Sequence, residues 1–185
     1  MRVITGSARG RRLKQLEGLE TRPTTGRVKE AVFSILQFDI EGRRVLDLFA
    51  GTGQLGIEAL SRGAASAVFV DMRREAARLV EENLRLTGLK ENAKVVCGDA
   101  LAYLGTLREK VDLVFLDPPY GSGLIKKSLR QMETFDILRE NGIIICESDA
   151  AEPLEEMSPP YRFHRTYRYG RIRLTVYHRR EGAAV

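Results

Sequence analysis

Residues 47–56, "DLFAGTGQLG", decide the fold of this chain. They follow a short apolar run typical of a buried strand, and Gly51, Gly53 and Gly56 spell G-x-G-x-x-G before a helix-like pattern. Asp71 ends the next strand-like run, 20 residues beyond Gly51. In the dinucleotide-binding fingerprint, the glycines allow a tight turn and the acid binds ribose hydroxyls. The spacing therefore predicts a nucleotide-type ligand at the end of the first strand.

The loop does not choose between nucleotides, because NAD and S-adenosylmethionine both carry an adenosine ribose. S-adenosylmethionine has no pyrophosphate, so the loop would instead meet an amino acid tail and a sulfonium cation. Asp47, at the strand end before the loop, supplies a negative charge that suits this cation or the ammonium group. At this point a dehydrogenase and a methyltransferase both remain open.

Strand-like and helix-like runs alternate on either side of the loop, and the strands are short and nearly continuously apolar. This pattern predicts an α/β fold with a mostly parallel sheet and helices on both faces. Residues 161–180, "YRFHRTYRYGRIRLTVYHRR", instead predict two strands around a turn near Tyr169 and Gly170. A parallel sheet that ends in an antiparallel hairpin is typical of the Rossmann-like, seven-stranded methyltransferase sheet.

The charge of the chain is unevenly distributed. Residues 1–29 carry a net charge of +6 and residues 161–180 a net charge of +7, whereas residues 30–160 carry −7. The second basic run also contains five aromatic side chains. Arginine pairs with phosphates and aromatic rings stack on bases, so this pattern favours a nucleic-acid partner over a merely solvated surface.

Four predicted strands end in an acid: Asp47, Asp71, Asp99 and Asp117. In a sheet of this kind, ligands bind at the carboxyl ends of the strands, near the point where the strand order reverses. One such acid is often only a helix cap, but four like charges on one edge cost stability unless something binds there. We therefore expect a ligand at this edge, with Asp99 accepting a hydrogen bond from the adenine amino group.

The fourth strand delivers residues 117–120, "DPPY", to the same edge. Prolines stiffen the chain and remove backbone donors, which suits a rigid pocket better than a continuing sheet. The Asp117 carboxylate and the Pro118 carbonyl can accept hydrogen bonds from a planar exocyclic amine and expose its lone pair. Pro119 helps to fix these acceptors, and Tyr120 can stack on the base. The alternative interpretation is an ordinary Pro-Pro turn with an aspartate cap.

Three segments together carry a family resemblance: "DLFAGTGQLGIEALSRGA", "DPPYGSG" and the upstream "RPTTGRVKEAVFSIL", with the opening "MRVITGSARGRRL". The sequence resembles the RsmD-type 16S ribosomal RNA guanine-N2 methyltransferases over essentially its whole length. The resemblance implies S-adenosylmethionine as methyl donor and one guanine of 16S rRNA as acceptor, in the small ribosomal subunit or its assembly intermediate. We further expect a basic N-terminal segment with a helix over residues 1–40 and the methyltransferase domain over 41–185, in one compact, monomeric unit.

The resemblance and the strand-end pattern together predict three groups of site residues. The catalytic group comprises Asp117, Pro118, Pro119 and Tyr120. The cofactor group comprises Asp47, Phe49, Gly51, Gly53, Asp71, Met72, Asp99, Ala100 and Asp117. The RNA group comprises Arg9, Arg11, Arg12 and Lys14, expected as a flexible basic arm, together with Thr25 and Arg27 beside the cofactor or the extruded base.

Other classes of protein fit the sequence less well. A DNA adenine-N6 methyltransferase would share the tetrapeptide, but 185 residues leave little room for a separate target-recognition domain. An NAD-dependent oxidoreductase would not explain the tetrapeptide, and a non-catalytic RNA-binding module would not need intact strand-end acids. We interpret Cys97 and Cys146 as small buried side chains and expect no disulfide, no metal, no membrane segment and a cytoplasmic location.

Overall fold

The computed structural model describes residues 1–15 and 26–180, and these contain a seven-stranded sheet. The strands are β1 (Arg44–Asp47), β2 (Ser66–Asp71), β3 (Ala93–Cys97), β4 (Val111–Leu116), β5 (Leu138–Asp149), β6 (Tyr161–Tyr169) and β7 (Ile172–Arg179). The helices are α1 (Gly26–Ile35), α2 (Gln54–Ser61), α3 (Arg74–Thr87), α4 (Ala100–Leu104) and α5 (Leu124–Phe135). A turn of 3₁₀ helix covers Lys90–Asn92.

The sheet has the strand order β3-β2-β1-β4-β5-β7-β6. Strands β1 to β5 pair in parallel, and β7 is antiparallel to both of its neighbours, β5 and β6. This confirms the predicted mostly parallel sheet with a C-terminal hairpin. The order reverses between β1 and β4, so the crevice in which such sheets bind ligands lies at the carboxyl ends of these two strands.

Helices cover both faces of the sheet, as predicted. Alternate strand residues point to opposite faces, so Val45 joins one hydrophobic core and Leu46 the other. Helices α1, α2 and α3 pack on the first face, and α4 and α5 pack on the second. The central strands β1, β4 and β7 are therefore buried on both sides, which explains their nearly continuous burial, whereas the edge strands β3 and β6 are partly exposed.

The hairpin differs from its sequence pattern in one respect. In β7, apolar Ile172, Leu174 and Val176 alternate with polar Arg173 and Thr175, and both sets are buried. The reason is the position of β7, which lies between β5 and β6 instead of at the edge of the sheet. Strand β6 forms the edge, and its arginines are the exposed ones.

Residues 1–15 pack against the sheet instead of forming a flexible arm, so that expectation is wrong. Val3, Ala8 and Leu13 are buried in the same core as α1 and α2. The side chain of Glu58 on α2 accepts hydrogen bonds from the backbone N–H groups of Ile4 and Thr5 at 2.8 and 2.9 Å. The sequence showed the basic side chains of this segment but not that apolar residues alternate with them to anchor it.

The two cysteines have different environments. Cys146 is buried as predicted, and burial raises the pKa of its thiol far above the usual value. Cys97 is exposed, so its predicted burial is wrong; β3 is an edge strand and its last residue reaches solvent. Within the residues that the structure describes, no helix is long and apolar enough to cross a membrane.

Candidate active site

The four strand-end acids lie on the carboxyl edge of the sheet, but their surroundings differ. Asp47 is the last residue of β1 and Asp71 the last residue of β2. Asp99 follows β3 as the N-cap of α4, and Asp117 directly follows β4. The sheet thus brings together the acids that the sequence predicted to meet.

Asp47 is the most deeply buried of these acids, with 2% of its surface exposed. Its carboxylate accepts a hydrogen bond from the N–H of Gly56 at 3.0 Å. Burial raises the pKa of Asp47 to about 7; the Gly56 hydrogen bond opposes this shift and the nearby charge of Asp71 adds to it. A buried carboxyl of this kind gains stability from a cation placed beside it.

The glycine loop joins β1 to α2 and uses its three glycines in different ways. Gly51 and Gly53 have φ angles of +54° and +77°, which side-chain-bearing residues rarely adopt. A Cβ on Gly51 would project into open space, whereas a Cβ on Gly56 would lie 2.3 Å from the Phe69 ring. The first glycine therefore leaves room above the loop, and the third allows α2 to pack closely on β2.

Asp71 holds this loop in place. Its carboxylate accepts the N–H of Gly51 at 2.9 Å and the N–H of Arg73 at 2.9 Å. The Arg73 guanidinium also donates to it at 3.2 and 3.4 Å. Ribose hydroxyls would have to share or displace the guanidinium, which is about one-third exposed and free to move aside. Met72, next in the chain, is 73% exposed and offers an apolar surface beside the loop.

Asp99, Ala100 and Phe49 complete the predicted cofactor group. One carboxylate oxygen of Asp99 accepts the N–H of Ala102 at 2.7 Å, so this acid caps α4. Ala100 is buried in the first turn of α4, and Phe49 packs half-buried against the core on the same face. The acid at β1, the open loop and the exposed Met72 together fit a nucleoside with a cationic tail.

The Asp-Pro-Pro-Tyr tetrapeptide begins where β4 ends. Asp117 is half-buried, Pro118 is buried, and Pro119 and Tyr120 are exposed. The Tyr120 hydroxyl donates to the Glu147 carboxylate at 2.9 Å, which fixes the ring at the end of β5. Because β4 lies between β1 and β5, the tetrapeptide sits beside the glycine loop in the switch-point crevice.

The predicted RNA-binding residues that the structure describes lie in the N-terminal segment and in the first turn of α1. Arg9, Arg11 and Arg12 are exposed on the packed segment, and Arg27 is exposed in the first turn of α1. Lys14 forms an ion pair with Glu82 at 2.9 Å. Thr25 lies outside the described residues.

Three buried polar residues were missed from the sequence. Glu147 holds Tyr120, and its place at the end of an apolar strand is the same signal that identified the other acids. Glu58 pairs with Lys29 at 2.8 Å, both side chains almost fully buried. Asn83 on α3 donates to the Thr52 carbonyl at 2.9 Å and to the Lys14 carbonyl at 3.2 Å, which joins the glycine loop to the N-terminal segment. The described residues contain no group of three His, Cys, Asp or Glu side chains placed to hold a metal ion.

The strand order, the glycine loop and the tetrapeptide define a class I methyltransferase fold, the S-adenosylmethionine-dependent class. A family model described as "Conserved hypothetical protein 95" matches residues 1–178. The chain belongs to this family, the RsmD family.

Relatives and solved structures agree with this assignment. The chain is 39% identical to "Putative rRNA methyltransferase YlbH" of Bacillus subtilis, over 97% of this chain and 100% of that protein. It is 35% identical to "Ribosomal RNA small subunit methyltransferase D" of Escherichia coli, over 97% of this chain and 90% of that protein. The structure of "Putative methyltransferase yhhF from Escherichia coli" superposes with a TM-score of 0.88, at 35% identity, over 98% and 99% of the two chains.

Proposed function

We propose that this protein transfers a methyl group from S-adenosylmethionine to the exocyclic N2 amine of a guanine in 16S ribosomal RNA, in the small subunit or its assembly intermediate. The proposal is supported mainly by the position of the Asp-Pro-Pro-Tyr tetrapeptide relative to the glycine loop. The tetrapeptide follows β4 at the switch point, directly beside the glycine loop that follows β1. An amine acceptor and a cationic cofactor would therefore meet at the same edge of the sheet.

The residues of the chain supply binding and orientation. When bound, S-adenosylmethionine supplies an electrophilic methyl group on a sulfonium centre. In this proposal, Asp47 offers a carboxylate for the cationic part, the open space at Gly51 allows close approach of the cofactor, and the Asp71 carboxylate binds the ribose hydroxyls. These residues fit the cofactor in charge and in shape.

The tetrapeptide acts on the acceptor base. An exocyclic amine is a poor nucleophile because its lone pair is delocalised into the ring. The Asp117 carboxylate and the Pro118 carbonyl accept hydrogen bonds from its two N–H groups, which draws the nitrogen toward tetrahedral geometry and frees the lone pair. Asp117 then stabilises the positive charge that develops on nitrogen and accepts the released proton. Tyr120, whose hydroxyl is bonded to Glu147, stacks on the base at a fixed angle.

The substrate assignment has two supports. The relatives named above carry names that refer to ribosomal RNA, one of them to the small subunit. The chain also carries exposed arginines on its N-terminal segment and on β6. A stacked base must be extruded to reach such a pocket, at a cost of a few kcal/mol, and phosphate contacts from these cations offset that cost.

The experiment uses methyl-labelled S-adenosylmethionine with naked 16S rRNA, small subunits that lack the modification, and duplex DNA. The labelled nucleic acid is digested and the modified nucleoside identified. We expect label in N2-methylguanosine from RNA. Label in N6-methyladenine from DNA would refute the substrate but keep the pocket chemistry, and no label with the cofactor still bound would leave a non-catalytic RNA-binding module.

A second measurement tests the N-terminal cations. Replacing the four by glutamine should weaken RNA binding and flatten its dependence on salt, while cofactor affinity stays constant. The four residues are Arg9, Arg11, Arg12 and Lys14. A control variant replaces Arg43 by glutamine. Arg43 directly precedes β1, at the amino end of the parallel strands. An unchanged salt slope in the quadruple variant would contradict the assignment of this segment to RNA.

A further inference from the structure

A cavity of about 230 Å³ lies beside the tetrapeptide and is not used by the proposed reaction. Its walls include Gly121 and Gly123 of the loop, Ile125 and Lys126 of α5, and Ser148 and Arg173. At about 30 Å³ per molecule, the volume would hold roughly seven waters. This is much more space than is needed to hydrate one or two buried polar groups.

Arg173 is the unusual residue of this cavity. It is buried, with 7% of its surface exposed. One terminal nitrogen donates to the Pro153 carbonyl at 3.1 Å, but its Nε is buried without a hydrogen-bond partner. Among residues 1–15 and 26–180, no carboxylate forms an ion pair with it. A buried charge normally requires a counter-charge, and within the described residues no carboxylate contacts this guanidinium.

Ser148 adds a second group with an unused hydrogen-bonding atom. It is 3% exposed, and its hydroxyl is also buried without a partner. Ser148 on β5 lies directly opposite Arg173 on β7 in the antiparallel ladder. Directly opposite residues project on the same face of a sheet, with Cβ atoms about 5 Å apart. Two buried donors therefore converge on one wall of the cavity.

The remaining charges of the cavity are accounted for. Glu155 pairs with Lys126 at 3.4 Å, and Glu152 accepts the N–H of Gly121 at 2.9 Å. The first turn of α5 contains no acidic side chain, so its N-terminal dipole also favours an anion. Among the described residues, the Arg173 guanidinium thus has the Pro153 carbonyl as its partner and no carboxylate.

We propose that this cavity is a phosphate subsite that binds a backbone phosphate of the RNA next to the nucleotide held by Tyr120; this rests on the proposed function. Glu147, which binds Tyr120, lies between Cys146 and Ser148 along β5. Successive strand residues point to opposite faces of the sheet. Glu147, which holds Tyr120, and Ser148, which lines the cavity, therefore lie on opposite faces at the same end of β5. The chain between the base platform at Tyr120 and the cavity is only the loop 121–123. The proposed path of the RNA backbone therefore runs from the nucleotide at Tyr120 over the loop 121–123 to Arg173.

The first test uses inorganic phosphate and no RNA. The melting temperature of the full chain is measured against phosphate concentration at constant ionic strength. Phosphate should stabilise the wild type in a saturable manner and should not stabilise Arg173→Gln or Ser148→Ala. Matched controls are Arg43→Gln, which removes one charge at the opposite edge of the sheet, and Ser128→Ala, a buried serine on α5 that does not line the cavity. Both controls should respond as the wild type does.

The second test measures RNA affinity directly, so that it does not depend on turnover. Arg173→Gln and Ser148→Ala should each weaken binding of the rRNA substrate about 10-fold or more, as expected for hydrogen bonds to a charged group. A neutral methylphosphonate linkage beside the target nucleotide should weaken binding to the wild type but not to Arg173→Gln. Ser148→Ala keeps the test valid if the arginine variant fails to fold.

The outcomes separate this proposal from the proposed function. Loss of phosphate stabilisation together with weaker RNA binding supports the subsite. Phosphate binding with unchanged RNA affinity would mean a site for free anions only, and it would overturn the RNA assignment. Unchanged responses in both variants would overturn the subsite itself. Absence of methyl transfer by the wild type would refute the proposed function, while the phosphate measurement would still decide the anion site.

Discussion

Glu58→Gln is expected to lower the free energy of unfolding by about 3–5 kcal/mol, the cost of breaking a buried ion pair from one side. Glu58 is fully buried and accepts hydrogen bonds from Ile4 and Thr5, from Lys29 at 2.8 Å and from Arg62 at 3.0 Å. Glutamine keeps the shape but removes the charge and places an amide donor against these donors. Lys29 would then lose its counter-charge, although its hydrogen bond to the Arg2 carbonyl, at 3.1 Å, would remain.

The pKa values of the pair indicate how the charges balance. Burial lowers the pKa of Lys29, and the hydrogen bond that Lys29 donates to Glu58 only partly opposes this shift. Burial raises the pKa of Glu58, but its hydrogen bonds from Lys29 and the backbone outweigh that effect and hold the pKa below its usual value. Stability from the Glu58 carboxylate is therefore present above its unfolded pKa of about 4 and is lost as the pH falls through the lower folded value.

The assay is urea unfolding followed by circular dichroism, with a thermal melt in parallel. At about 2–4 °C per kcal/mol for a chain of this size, the melting temperature should fall by roughly 6–20 °C. Glu109→Gln, which removes an exposed ion pair with Arg44, is the control and should cost at most about 1 kcal/mol. The double variant Lys29→Met/Glu58→Gln should recover part of the loss. A loss of less than about 1 kcal/mol in Glu58→Gln would refute the argument.

Three further predictions concern the site and the backbone. Asp117→Ala should lower methyl transfer at least about 100-fold while S-adenosylmethionine still binds by calorimetry; an active variant would disprove the assigned role. Binding of S-adenosylmethionine at pH 6 should release a proton, measured by calorimetry in buffers of different ionisation enthalpy, and Asp47→Asn should abolish this release. Gly6→Ala should destabilise the fold far more than Gly10→Ala in urea unfolding, although both have positive φ, because only at Gly6 would the Cβ overlap Ser61, at 1.7 Å from its carbonyl oxygen; equal losses would contradict this.

Most of the fold could be predicted because local pattern and tertiary structure agree. Strand β2 ends at Asp71 as predicted, and α3 ends at Gly88, which adopts the left-handed conformation that glycine tolerates. The turn near Gly170 separates β6 from β7. These features depend on neighbours in the sequence, which single-sequence reasoning can see.

What could not be predicted depends on long-range partners. The burial of Arg173 follows from the insertion of β7 between β5 and β6, a fact of topology that the alternating pattern does not contain. The anchoring of residues 1–15 depends on Glu58, which lies more than fifty residues away in the chain. A charged residue in an otherwise apolar helix was the available signal for Glu58, since such residues are rarely fully buried without a partner.

The different surroundings of the four strand-end acids help to distinguish S-adenosylmethionine from NAD as the cofactor. The clustering of like charges suggested a ligand, yet Asp99 is used as a helix cap and Asp71 binds backbone and guanidinium groups. Asp47 differs, because burial penalises its charged form and, among the described residues, a single N–H group, that of Gly56, donates to it. A sulfonium or ammonium group placed there would lower the pKa of Asp47 and release its proton, whereas the pyrophosphate of NAD would raise the pKa further. The affinity for S-adenosylmethionine should therefore weaken as the pH falls below about 7, and the sign of the proton exchange distinguishes the two cofactors that the glycine loop alone does not.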